Sequence, residues 1–313
     1  MGRSLLGMVT TLGMVTTLGI VMTLGIVMTL ASLAGVAAAD NTSVGVFTPS
    51  ATFPSTTARV ELASRLGDHI GKALGGTGTG RVYARAGDFA AAVKKGDVQV
   101  ALVDATYLST AGGGYTVIGV ATRNGEAAHP WQLVAKGGGK IADLKGKRVI
   151  VPTIGGRETE FVLNVMLAGE VTKDFFAKIE AAPDTAAALA AVGLGRADVA
   201  VVPTGVELPA GTASVLTLSA ISGPVLVAYG TVSQAQRTAL MAAAGSFKGD
   251  ATIGGFRSSD GDGIRAIARR YGVPAKRGQL AVPAVRLVVG DLVEGRTFAI
   301  ERTPAASFVL APK

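Results

Sequence analysis

The stretch Asp184-Thr-Ala-Ala-Ala-Leu189, followed by Gly195-Arg-Ala-Asp198 and the apolar run Val199-Ala-Val-Val202, decides how this chain is read. An acidic residue ahead of an Ala-rich segment starts a helix, and the glycine ends it. The next run, Asp198–Val202, is apolar at successive positions, as in a strand covered on both faces. The same order stands about 100 residues earlier: Asp88, Phe89-Ala-Ala-Ala-Val93, Lys94-Lys95-Gly96, then Val98-Gln-Val-Ala-Leu-Val103. Two Ala-rich helices can match by composition alone; a diverged internal repeat is the other reading.

Working outward, each copy is preceded by another strand, loop and helix. Val44-Gly-Val-Phe-Thr48-Pro-Ser50 reads as a strand and its loop, leading to a helix from Thr56 to about Leu74 with Val60, Leu62, Ala63, Leu66 and Ile70 on one face. Gly76-Thr-Gly-Thr-Gly80 reads as a linker and Arg81–Arg85 as a short strand. In the second copy Arg148–Val151 is the strand, Pro152–Arg157 its loop, and Glu158 to about Leu167 the helix. Parallel α/β units follow, with ligands expected beyond the carboxyl ends of strands. Four loops qualify: Thr48–Thr52, Asp104–Tyr107, Thr153–Thr159 and Pro203–Gly205. Their hydroxyls, and the helix N-termini that follow two of them, suit an anion.

The N-terminus reads as a targeting segment. Arg3 is the only charged side chain before Asp40, and an apolar run from Leu5 to about Val36 ends in Ala37-Ala38-Ala39. A basic start, an apolar stretch and a small-residue end make a secretory leader, cleaved after Ala39. Its excess length comes from a hexad repeated in Gly7–Leu12, Gly13–Leu18, Gly19–Leu24 and Gly25–Leu30; a retained anchor is the alternative. No comparable apolar run follows Asp40, so no stable membrane span is expected after cleavage.

Composition removes whole classes of function. The chain has 313 residues, 49% hydrophobic, enough for one large or two small domains. Cysteine is absent, which excludes disulfides, thiolate metal sites and thiol nucleophiles. Two histidines, His69 and His129, argue against a His-rich metal site or a Ser-His-Asp triad. No Walker A sequence, dinucleotide fingerprint or Gly-x-Ser-x-Gly elbow occurs, and Asp260-Gly-Asp262-Gly lacks the later ligands of a calcium loop. No cofactor or metal is therefore expected. A formal charge of +8 favours anionic ligands, and 5% aromatics argues against nucleic-acid binding.

Ile141-Ala-Asp-Leu-Lys-Gly-Lys-Arg-Val149 resembles a signature of periplasmic solute-binding proteins with the type II fold. Val171-Thr-Lys-Asp-Phe-Phe176 with Gly195-Arg-Ala-Asp198, and Gly96-Asp-Val-x-Val-Ala-Leu with Tyr107, are similar to the phosphate/phosphonate (PhnD-like) branch. The resemblance covers roughly residues 43–256. It implies two α/β lobes, each a mostly parallel sheet flanked by helices, joined by hinge strands near Val117–Thr122 and Val215–Val227. Residues 40–121 would open lobe one, 122–221 would form lobe two, and 222–313 would return to lobe one with a C-terminal extension. That extension reads as a helix Gly263–Tyr271, then strand-like Val285–Val289 and Thr297–Glu301. The implied function is capture of a small anionic solute by lobe closure and delivery to an ABC transporter permease, by a periplasmic monomer that does no chemistry. A sensory or anchored receptor, or a secreted enzyme on the same fold, are the alternatives. Members of this branch carry a Ser-Thr-Ser-Gly-like loop where this chain has Thr153-Ile-Gly-Gly-Arg-Glu-Thr159, so the oxyanion need not be a phosphonate.

The candidate ligand residues are Thr48, Ser50, Asp104, Tyr107, Thr153, Arg157, Thr159 and Thr204. Arg157 could clamp an anion or pair with Glu158 or Glu160. Thr48 and Ser50 could donate to a ligand or cap the next helix. Asp104 could accept from a ligand or cap the next turn, and Tyr107 could wall the pocket or simply pack. Trp131 reads as a core residue at the start of a strand, and His129 as an exposed loop residue.

Overall fold

The fully buried Val44, Val46 and Phe47 place the first strand inside a sheet, as their apolar run requires. In the computed structural model, which describes residues 41–272, the chain runs β1 (Asn41–Phe47), α1 (Thr56–Ala73), β2 (Thr77–Val82), α2 (Ala86–Lys95), β3 (Val100–Val103), α3 (Ala105–Leu108) and β4 (Tyr115–Thr122). Next come β5 (Ala128–Lys136), β6 (Arg148–Pro152), α4 (Glu158–Glu160) continued by a π-helical turn Phe161–Met166, β7 (Lys178–Ala182), α5 (Thr185–Gly193), β8 (Val199–Pro203) and β9 (Thr212–Ser222). β10 (Val225–Tyr229), α6 (Gln234–Ser246), β11 (Gly255–Arg257) and α7 (Asp262–Tyr271) complete it. The leader expected over residues 1–39 and the strand-like stretches expected at 285–289 and 297–301 lie outside the described residues.

Two sheets form, in the orders β11-β4-β10-β3-β1-β2 and β7-β6-β8-β5-β9. Each has a parallel core: β1 pairs with β2 and β3, and β6 with β7 and β8. Most strands of each sheet share one sense; β10 and β11 in the first and β5 in the second run against it, β10 antiparallel to β3 and β4, and β5 to β8 and β9. β5 and β10 are the first strands after the chain crosses from one sheet to the other. The chain arrives at the carboxyl ends of the parallel strands, so its next strand must run away from them.

Val44, Leu62, Leu66, Ile70, Leu102 and Leu226 pack one face of the first sheet against α1 and α6. The apolar cluster on its other face continues into the second sheet, joining Phe47, Phe89 and Tyr107 to Leu133, Val151 and Phe161. α7 packs on α3, β9 and the π-helical turn, and so touches elements on both sides.

Several local expectations change. The Gly-Thr-Gly-Thr-Gly run is no linker but most of β2. A Cβ at Gly78 would sit 1.9 Å from the Gly67 oxygen, and one at Gly80 1.7 Å from the Ala63 oxygen, so glycine is required for α1 to lie on this strand. β2 accordingly ends at Val82 instead of starting at Arg81. Val60 is 51% exposed, while Gly67 and Gly71 complete the buried face of α1. Asp184 caps α5 by accepting from Ala187 N at 2.9 Å. Asp88 does not cap α2; Arg85 precedes that helix without a side-chain cap, and Asp88 lies in its first turn. Asp198 stands before β8, where it pairs with Arg148 at 3.1 Å.

Candidate functional site

The carboxyl ends of β1, β3 and β8 and the two crossings between the sheets surround an open-mouthed cavity of about 40 Å³. That is room for more than one water, and so for a small ion. Ser50 and Thr52 come from the loop after β1, Thr106 from α3, Pro203 from the end of β8, and Thr252 from the loop before β11. The floor is the crossing itself: Thr122 and Arg123 after β4, and Ile221–Pro224 between β9 and β10. His129 and Trp131 of β5 line the remaining side.

Charge enters the cavity at Arg123. Its backbone exchanges hydrogen bonds with Glu126 at 2.9 and 3.1 Å, making a tight turn, and its Nη2 donates to the Thr204 carbonyl at 2.9 Å. Four further guanidinium donors remain for other partners. His129 is half-buried in β5, not a loop residue. Burial and the nearby Arg123 charge hold its ring below the ordinary imidazole range, against Glu126. Trp131 is 3% exposed and sits edge-on to Phe161, a core role with one side on the cavity.

The loop after β1 is fixed by a buried carboxyl. Asp104, 2% exposed, follows β3 and accepts from Ser50 N at 2.7 Å. Burial pushes its pKa up to about 7, against the Ser50 hydrogen bonds and the Arg59 charge. The same loop faces the second sheet: Thr185 donates from its N to the Pro49 carbonyl at 3.0 Å and from its Oγ1 to the Ser50 carbonyl at 2.9 Å. Arg59 of α1 pairs with Asp184 beside it at 3.3 Å. Thr48, Thr52 and Thr106 have buried Oγ1 atoms with no hydrogen-bond partner in the fold.

The expected site residues therefore divide. Ser50 lines the cavity; Thr48 and Asp104 lie beneath its loop. None of the three caps a helix through its side chain, since Ser55 caps α1 and Asp104 turns to Ser50. Thr204 borders the cavity through Arg123, and its Oγ1 donates to Pro130 O at 3.1 Å. The others are not brought to it. Tyr107 is buried edge-on to Phe47 and Phe89. Thr153 N extends the β6–β7 ladder by donating to Ala182 O at 2.8 Å. Arg157 lies over the Tyr271 ring at 4.6 Å and pairs with Glu160 at 3.5 Å, and Thr159 sits in α4. Arg123 and Ser222 were missed because strand-end reasoning ignores the crossings; their sequence signal was a cation and a hydroxyl at the expected hinge strands, whereas Thr106 stands in the Asp104–Tyr107 loop that the strand-end rule did select.

Among the described residues no helix is long and apolar enough to cross a membrane, and no cluster of three His, Cys, Asp or Glu could hold a metal. No family model and no curated protein matches the chain. Solved structures do. PhnD1 from Prochlorococcus marinus, in complex with methylphosphonate, aligns with a TM-score of 0.59 at 13% identity over 74% of this chain and 97% of that one. XAC2383 from Xanthomonas citri, bound to ATP, gives 0.56 at 12% over 74% and 97%. A binding protein component of an ABC phosphonate transporter from Pseudomonas aeruginosa gives 0.56 at 13% over 72% and 83%. At such identities the likeness establishes the fold, that of two-lobed type II periplasmic binding proteins.

Proposed function

We propose that the protein is an extracytoplasmic solute-binding protein that closes its two lobes on a small oxyanion and presents it to an ABC importer. The observation that carries this reading is the cavity between the sheets, with one arginine in its floor and hydroxyls from both sides around it. Arg123 supplies charge-assisted donors, and Ser50, Thr52, Thr106 and Ser222 supply hydroxyls for the remaining oxygens of a tetrahedral or planar anion. The unpartnered Oγ1 atoms of Thr52 and Thr106 support it, since buried hydroxyls are normally bonded. Methylphosphonate, the ligand of the Prochlorococcus neighbour, is of this chemistry. In this reading residues 1–39 are a leader removed after Ala39, residues 122–221 form the second lobe, and the mature chain acts as a periplasmic monomer.

Thermal unfolding against phosphate, methylphosphonate, a sulfonate, a carboxylate and ATP tests it. A ligand at about 100 times its Kd that binds only the folded state adds ~2.7 kcal/mol. A saturable rise in Tm with at least one anion, lost in Arg123→Ala, is the expected outcome. No shift with any of them overturns the anion reading.

A further inference from the structure

Solute-binding lobes close on a ligand, and here loop 48–52 bridges the two. On one side it carries Ser50 and Thr52 into the cavity. On the other, its Pro49 and Ser50 carbonyls accept from Thr185, which is fully buried at the first residue of α5. Those carbonyls occupy the start of α5, a place where helix amides would otherwise meet an anion. The loop owes its shape to Asp104, whose Oδ2 accepts from Ser50 N at 2.7 Å. One peptide unit on, the Ser50 carbonyl takes the Thr185 hydroxyl at 2.9 Å.

We propose that Asp104 is a positioning residue that couples solute capture to lobe closure, by holding the 48–52 loop in the one conformation that both lines the cavity and latches onto Thr185 of the opposite lobe. This rests on the reading of the cavity as the solute site. Asp104 touches no solute: it lies beneath the loop and acts through Ser50. The latch stabilises the closed form before capture, so a solute meets a preformed site and spends less of its binding free energy on closure. A carboxylate in this position is a stronger acceptor for Ser50 N than a neutral group. The charged groups facing it are Arg59 of α1 and, through Arg59, Asp184 at the start of α5, which themselves tie the two lobes at 3.3 Å.

The chain has no cysteine, so spin labels can be placed cleanly at Asp68→Cys in α1 and Ala190→Cys in α5, both exposed, in the full-length protein. Without ligand, the wild type is expected to give one narrow, short interlobe distance at pH 8. Thr185→Val, which keeps shape and loses the hydroxyl, broadens it at pH 8. Asp104→Ala does so more strongly and weakens anion binding at least ~10-fold, the scale of one charge-assisted hydrogen bond. Asp104→Asn, an uncharged acceptor of the same shape, keeps the Ser50 hydrogen bond, stays closed and holds affinity within about threefold, so rescue by Asn marks a positioning role. If Asp104→Ala does not fold, the Thr185→Val and Asp104→Asn distances decide. A distance unmoved by Thr185→Val and by Asp104→Ala overturns the proposal. If no anion binds but the distances shift as described, the latch stands and the anion reading falls; if an anion binds and the distances stay fixed, the reverse holds.

Discussion

The loops after β1 and β6 occupy corresponding places in the two halves, yet they have opposite fates. Loop 48–52 is tied to its neighbours: Asp104 holds Ser50, Thr252 Oγ1 donates to Thr52 O at 3.1 Å, and Thr185 reaches it from the second lobe. Loop 153–157 is folded on itself, with Thr153 N held by Ala182 O and Thr110 Oγ1 donating to Ile154 O at 3.3 Å. Glu158 Oε1 accepts from both Ile154 N and Gly156 N at 3.2 Å, and Gly155 and Gly156 take φ of +103° and +105°. That closed turn sets Gly155 against the Tyr107 ring and leaves Arg157 outside. One lobe thus contributes a loop to the cavity wall. The other contributes β5, the end of β8 and the crossing strands. A shared sequence order did not preserve a shared use.

The largest effect that would break this contrast lies under the first loop. The loop runs into α1, which rests on the glycines of β2, so Gly80→Ala forces a methyl into the Ala63 carbonyl. A loss of about 3 kcal/mol or more is expected by denaturant unfolding. Gly156→Ala, in open space at positive φ, should cost only about 1–2 kcal/mol.

Next in size is the pH dependence of the first loop. Asp104 titrates at about 7 in the fold against an ordinary 3.8, so the folded state binds its proton more tightly than the unfolded state does. Its contribution is therefore complete at low pH and is lost as pH rises through about 7, on the order of 2–3 kcal/mol between pH 5 and 8. Asp104→Asn should raise Tm more at pH 8 than at pH 5, by several degrees. The depressed pKa of His129 works in the opposite sense, and the comparison with Asp104→Asn cancels it.

Ligand binding should separate the two arginines. Arg123→Ala is expected to weaken anion binding by roughly 10- to 100-fold, and Arg157→Ala by less than twofold, measured by calorimetry. Equal losses would restore the second loop as a ligand loop. The smallest effect is Glu158→Ala, which unties the 154–156 turn for about 1 kcal/mol with anion affinity unchanged.

What the sequence made legible was the set of runs that periodicity reports: β1, β3, β6 and β8, the amphipathic α1, the Asp184 cap and the two-sheet α/β plan. It hid what depends on a distant partner. Glycine in β2 looks like a breaker because its value lies in the backbone of α1 that presses on it. His129 follows a polar turn and precedes a proline, and only its pairing with Ile221 puts it in a strand. Of the candidate residues, Ser50, Asp104 and Thr48 follow from the rule that sites lie beyond strand ends. The same rule misplaces Thr153, Arg157 and Thr159, because it cannot foresee that Glu158 would fold their loop onto itself.

β1 begins at Asn41 and is paired on both sides, to β2 and to β3, with Thr42 only 2% exposed. A leader cut after Ala39 leaves a single residue, Asp40, between the scissile bond and that strand. A peptidase needs several extended residues on each side of the bond it cuts, and those on the carboxyl side are the ones β1 withdraws into the sheet. Processing and folding therefore compete for the same few residues. If residues 1–39 are the leader proposed above, it has to leave before the first sheet closes, and a chain that folds first would keep it.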